Sequence, residues 1–376
     1  MLSLRHRVFR AGCALTFVCL ASAHVRLIYS GNGNELFWTN PESIGIAFNA
    51  AGSDNVSDGT DLVALRNAVD SWNQIGGTTT RLIEDASQAT QQRTDFDAND
   101  LHLIIFDEDG SSGWFPTGTG TVAVTPLSFF TSGQIIDADI VFNGRDFNFG
   151  TSGQNNHFDI QGVAAHELGH LIGLDHTGIA GATLYPFVDP SVILGRSPSL
   201  DDVHGVRDLY PDGSFARITG TVVRGDSSPV PGAYLVARDS IGRTVGAALA
   251  DASGNYSIEA LDPGTYTVWA DPLDLPVSAA NLTDGHSIET DFSSTSLGSI
   301  AVSGSNTADL GTGTVDADRS ISLGRVNDDY PLRVIAGATV SLTVRGAGLT
   351  TGSTLSAGDP TFSVVTTAFG LSLIHI

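Results

Sequence analysis

Cysteine is nearly absent. There are two in 376 residues, Cys13 and Cys19, both within the first twenty. A chain that starts after them has no thiol, which excludes disulfide stapling and thiolate nucleophiles or ligands. Lysine is missing altogether: the 18 basic residues are all arginine, against 41 acidic ones. So acidic a surface repels phosphate and argues against nucleic-acid partners and anionic membranes. It suits a salty medium or calcium, although a plain solubilising excess of charge accounts for it at least as well. Methionine occurs once, as Met1. No apolar run reaches the ~20 residues that a membrane-spanning helix needs.

The longest apolar run near the start, residues 11–20, follows Arg5, Arg7 and Arg10 and precedes Ala21, Ser22 and Ala23. A basic segment, a short apolar core and a small-residue cleavage site make an export signal. Cleavage after Ala23 is expected, with an uncleaved anchor as the alternative. The protein is therefore expected to be secreted and extracellular.

Against these absences stands one dense cluster. His166, Glu167, His170, Gly173 and His176 fall within eleven residues. His166 and His170 are four apart, so on a helix they share a face and can grip one metal ion. Glu167, next to the first, can reach a metal-bound water. Gly173 can take positive φ and end the helix, so that the chain turns back and His176 supplies a third nitrogen. Three protein ligands leave one tetrahedral position open, which distinguishes a catalytic zinc from a structural one. A bare His-Glu-x-x-His arises often by chance; all five positions together do not. An amphipathic core helix with ordinary histidines does not explain why polar residues interrupt the apolar run only at ligand spacing.

This pattern resembles the long zinc motif of the metzincin metalloproteases, and its surroundings resemble the matrixin-like branch. Asp159 stands as N-cap before the helix. Residues 137–143 are similar to the strand that precedes it, 182–186 to the family's Met-turn, and 198–206 to the start of its last helix. The likeness covers about residues 40–211. It implies an α+β fold, with a twisted mixed sheet and an active-site helix. It also implies one catalytic Zn2+ on His166, His170 and His176, Glu167 as the catalytic general base, and protein or peptide substrates. The strand at 120–126 would be the sheet edge along which a substrate strand adds, with main chain near Ala123 and at 186–188 holding it. Tyr185 would pack rather than catalyse. Asp175 would orient the turn or a ligand histidine, a surface role being equally open.

The chain departs from the family in three ways. Leu184 takes the place of the turn's methionine, a swap of similar volume that usually costs under about 1.5 kcal/mol. No thiol is available to block the zinc, as the pro-segment cysteine does in many animal matrixins. The histidines of their second, structural zinc are not seen either, and His102, His157 and His204 read as surface or packing residues. The acidic loop at 107–110 has oxygens that suit Ca2+, but a solvated turn is the favoured reading.

Further elements follow from periodicity. Residues 43–49 alternate as a strand, and 61–74 form a helix with Leu62, Leu65, Val69 and Trp72 on one stripe, ended by Gly76 and Gly77. Residues 101–106 read as a buried strand. After residue 213 helix patterns vanish. Strands are expected at 218–222, 233–237, 255–258 and 265–269, with turns at Pro231-Gly232, Ser253-Gly254 and Pro263-Gly264. This resembles the carboxypeptidase-regulatory-like β-sandwich of secreted bacterial enzymes. From 278 on the chain stays β-rich, with one clear strand at 338–345, and resembles an immunoglobulin-like adhesion module. The apolar ending at 371–376 suggests a chain cut short inside that module.

The expected plan is thus an export signal (1–23), a matrixin-like domain (24–213), a β-sandwich (214–277) and a β-rich remainder (278–376), acting as a monomer. The expected function is a secreted zinc endopeptidase. The alternatives are a cell-surface adhesin with a residual, inactive protease domain and a self-processing factor.

Overall fold

The computed structural model describes residues 26–85, 101–273, 277–282 and 287–316, together with one short strand pair, Ser322–Leu323 against Gly346–Ala347. The export signal, the strand at 338–345 and the ending at 371–376 lie outside the described residues.

The first half is built on a five-stranded mixed sheet. Its strands are β1 (Ile44–Phe48), β2 (Leu82–Glu84), β3 (Leu103–Phe106), β4 (Ala123–Val124) and β5 (Ile140–Phe142), in the order β2-β1-β3-β5-β4. All neighbours are parallel except β4, which runs antiparallel along the β5 edge, Ala123 opposite Phe142 and Val124 opposite Val141. The central strands are apolar on both faces, as buried parallel strands must be. Ile44, Ile46, Phe48, Ile104, Phe106, Ile140 and Phe142 face one core, while Ala47, Leu103, Ile105 and Val141 meet Phe115 on the other side.

Two helices cover the larger core. Helix α1 (Thr60–Asn73) buries Leu65, Val69 and Trp72 along its expected stripe. Helix α2 (Ile160–Ile172) carries the histidine motif, and eleven of its thirteen residues are buried. The Trp72 indole N–H donates to the Ala165 carbonyl at 2.9 Å, tying the two together. Helix α3 (Leu200–Leu209) follows, opened by a capping box between Ser199 and Asp202.

The second half is a β-sandwich. Strands β6 (Ala216–Arg224), β7 (Tyr234–Arg238), β8 (Thr244–Leu249), β9 (Asn255–Leu261), β10 (Gly264–Asp271), β11 (Thr295–Val302) and β12 (Thr307–Val315) form two sheets, β9-β6-β12 and β8-β7-β10-β11. The four strands expected from alternation are all present. Strand β8 is an addition to those four: all six of its residues are buried, so it shows no alternation to read. Two strands beyond residue 277 complete the sheets.

The halves share a third apolar cluster. Ile179, Ala180, Ala182 and Tyr185 from the segment after the histidine motif meet Tyr234, Val236, Ala247, Leu249, Leu273, Val277 and Leu282. Among the described residues no helix is long and apolar enough to cross a membrane.

Candidate metal centre

Helix α2 is fixed at both ends by its own sequence. Asp159, extended at φ −76° and ψ 114°, caps the N-terminus by accepting from the Gly162 N–H, and Arg196 clasps the same carboxylate with two N–H groups. At the other end Gly173 takes φ 118°, and the amides of Gly173 and Leu174 return to the Gly169 carbonyl. Two more of the last carbonyls are used: Leu171 accepts from the Trp38 indole at 2.7 Å and Ile172 from the Tyr210 hydroxyl at 2.9 Å. A rigid helix so held presents His166 and His170 on one face, and the glycine turn swings His176 back toward them.

The three imidazoles converge. His170 Nε2 lies 3.0 Å from His166 Nε2 and 3.2 Å from His176 Nε2. Each ring's other nitrogen meets a main-chain carbonyl: His166 Nδ1 to Thr183 O at 2.7 Å, His170 Nδ1 to Leu174 O at 2.8 Å and His176 Nδ1 to Asn281 O at 2.7 Å. A carbonyl only accepts, so each Nδ1 carries the proton and each Nε2 presents a lone pair to the common point. Three lone pairs so close repel one another unless a cation lies between them. Tetrahedral zinc with bonds of 2.0–2.1 Å sets its nitrogens about 3.3 Å apart, so the donor set fits that ion. Among the described residues this trio is the one group of three or more potential ligands that can hold a metal.

Glu167 stands beside them, 1% exposed. Its Oε2 accepts from the Thr125 hydroxyl at 2.5 Å, while the buried Oε1 accepts from no group. Burial pushes its carboxyl up to about 8, opposed by the Thr125 bond. A bound dication would favour the charged form. Thr125 directly follows edge strand β4, so one residue links the carboxylate to the sheet edge. Nothing in the residue pattern around Thr125 announces that role.

The turn that carries His176 is held by buried acids. Asp175 is buried and accepts from the His176 amide at 2.8 Å, so it orients the turn and has no surface role. Asp202 accepts from the amides of Ser199, Thr183 and Leu184. Burial and the neighbouring Asp201 raise its carboxyl above the ordinary range. Leu184, in the position of the family's methionine, is buried against Gly169 of α2, where an added Cβ would come within 2.6 Å of its side chain.

The remaining candidates lie apart. His102 pairs with Asp137 at 2.8 Å and packs on Trp38, His157 meets Asn155 O, and His204 meets Leu200 O inside α3. Tyr185 is buried in the cluster shared by the two halves. In the acidic loop, Asp107 accepts from Ser112, Glu108 from the Asp54 amide and Asp109 from the Ser111 amide.

Residues 44–211 match the matrixin family, and residues 217–287 match the carboxypeptidase regulatory-like domain. The chain is 26% identical over 197 residues to the Hatching enzyme of Paracentrotus lividus, which covers 51% of this chain and 29% of that protein. It is 29% identical over 117 residues to Karilysin of Tannerella forsythia, covering 31% and 24%. Over 55 residues it is 44% identical to Metalloendoproteinase 1 of Glycine max, covering 14% and 17%. The matched stretch is less than a third of each relative's length.

Proposed function

The chain carries a matrixin domain at residues 44–211 followed by a carboxypeptidase regulatory-like domain at 217–287, and from that premise we propose that it is a secreted zinc endopeptidase. The observation that carries this reading is the convergence of three imidazoles, each with its Nδ1 proton committed to a carbonyl, beside the buried carboxylate of Glu167.

His166, His170 and His176 would hold the ion through Nε2. Zinc held there supplies Lewis acidity, both for the scissile carbonyl and for the attacking water. Glu167 takes the water's proton as general base and passes it to the leaving amine. Thr125 holds one carboxylate oxygen and leaves the other for that proton. As the last strand of the sheet, β4 would offer main-chain groups to an extended peptide, which would add as an antiparallel strand. Main chain at residues 186–188 would wall the pocket for the side chain after the cut. The acidic, lysine-free surface and the expected export signal support an extracellular site of action.

The test joins metal content to turnover. The purified protein should carry one zinc per chain. Glu167→Ala should keep that zinc while cleavage of an unfolded protein falls by at least about 10²-fold. Zinc without Glu167-dependent cleavage would sink the enzyme reading in favour of a binding protein with a residual protease domain.

A further inference from the structure

Two of the three imidazoles are oriented by carbonyls from the matrixin domain, Thr183 and Leu174. The third is not. The acceptor for His176 Nδ1 is Asn281, 105 residues further on and inside the carboxypeptidase regulatory-like match. That carbonyl is built into place. Asn281 ends a short 3-10 turn (Ala279–Asn281) in which its own side-chain Oδ1 accepts from the Ser278 amide at 2.9 Å. Val277 and Leu282, on either side of the turn, are buried in the cluster that joins the two halves.

A second contact reaches the same limb of the site. Tyr234 of β7 is 1% exposed, and its phenol enters the turn after His176. It accepts from the Gly178 amide at 3.0 Å and meets the Thr177 hydroxyl at 2.5 Å. Thr177 spends its proton on Asp201 Oδ2 at 2.9 Å, so the Tyr234 hydroxyl donates to Thr177. Gly178 has to lack a side chain here, since an added Cβ would come within 2.8 Å of Leu273 and 3.3 Å of the Tyr234 ring.

We propose that the β-sandwich is a structural part of the metal centre. The Asn281 carbonyl sets the tautomer and orientation of His176, and the Tyr234 hydroxyl sets the turn that carries it. Both act as positioning residues from outside the matrixin domain. The inference rests on reading the histidine trio as a zinc site. Its consequence is that the second domain is neither a spacer nor a detachable binding module: metal affinity depends on it.

The test is zinc affinity of the full chain, read by competition with a chromogenic chelator, with folding of each variant checked by circular dichroism. Asn281→Ala removes the side-chain bond that holds the carbonyl and should weaken zinc binding roughly 10-fold. Asn281→Asp keeps an oxygen for the Ser278 amide and should restore it. Tyr234→Phe should weaken binding by a smaller factor, and Ile241→Ser, at an exposed turn of the same domain, should leave it unchanged. Unchanged affinity in both Asn281→Ala and Tyr234→Phe, with zinc bound to the wild-type chain, overturns the inference and leaves the metal site standing. A loss in Asn281→Ala that Asn281→Asp does not reverse also counts against it. No zinc on the wild-type chain overturns the site and the inference together.

Discussion

Helix α2 and the turn after it supply the same centre, yet they are held in different ways. The helix carries its own instructions. Asp159 caps it, Gly173 ends it, and the i, i+4 spacing puts two ligands on one face before any tertiary contact forms. The turn has no regular structure of its own. It stands because α3 lends Asp201 and Asp202, β7 lends Tyr234, and the connection between sandwich strands β10 and β11 lends a carbonyl. A site half local and half tertiary should respond unequally to damage on its two sides.

The largest stability loss is expected on the tertiary side. Asp202→Ala leaves the buried amides of Thr183 and Leu184, and the half-buried amide of Ser199, without their acceptor. An orphaned buried amide costs about 1–3 kcal/mol. Relief of the repulsion between Asp201 and Asp202 offsets part of this, so a net loss of about 2–4 kcal/mol is expected in urea unfolding of the metal-free chain. Asp202→Asn, which keeps one acceptor oxygen, should lose less.

On the helix side, Asp159→Ala removes the N-cap and the Arg196 pair. Loss of a cap costs about 1 kcal/mol, and Arg196, which reaches solvent, is readily rehydrated. A loss of about 1–2 kcal/mol is expected, with zinc affinity little changed. If Asp159→Ala cost as much as Asp202→Ala in the same urea series, the contrast between the two limbs would fail.

The same contrast explains what could be read in the sequence. The sequence places helix α1 to within one residue at each end, because its apolar stripe and the glycines after it are local signals. The histidine spacing, Asp159 and Gly173 are local too. Thr125, Tyr234 and Asn281 left no trace. Thr125 bonds a side chain 42 residues away, and Tyr234 read only as part of an alternating strand. Asn281 acts through a main-chain carbonyl, which every residue has, so no residue type could announce it. Strand β8 is illegible for another reason, since a strand buried on both faces shows no period of two.

The smallest effect is expected at Leu184, the one departure from the family inside the turn. Its main chain is already held: the amide by Asp202 and the carbonyl by the Thr177 amide at 3.1 Å. Its side chain only fills the space beneath Gly169, between the two helical ligands. The frame of the turn is therefore set by hydrogen bonds that do not depend on which apolar side chain sits there. Leu184→Met conserves volume, so it should shift stability by less than about 1.5 kcal/mol. Zinc affinity, in the same chelator competition, should stay within about twofold, since the partners that orient each ligand are untouched. A tenfold gain on introducing methionine would show that the floor of the site, rather than its hydrogen-bonded frame, sets the position of His176. The tertiary limb would then be less decisive than its contacts suggest.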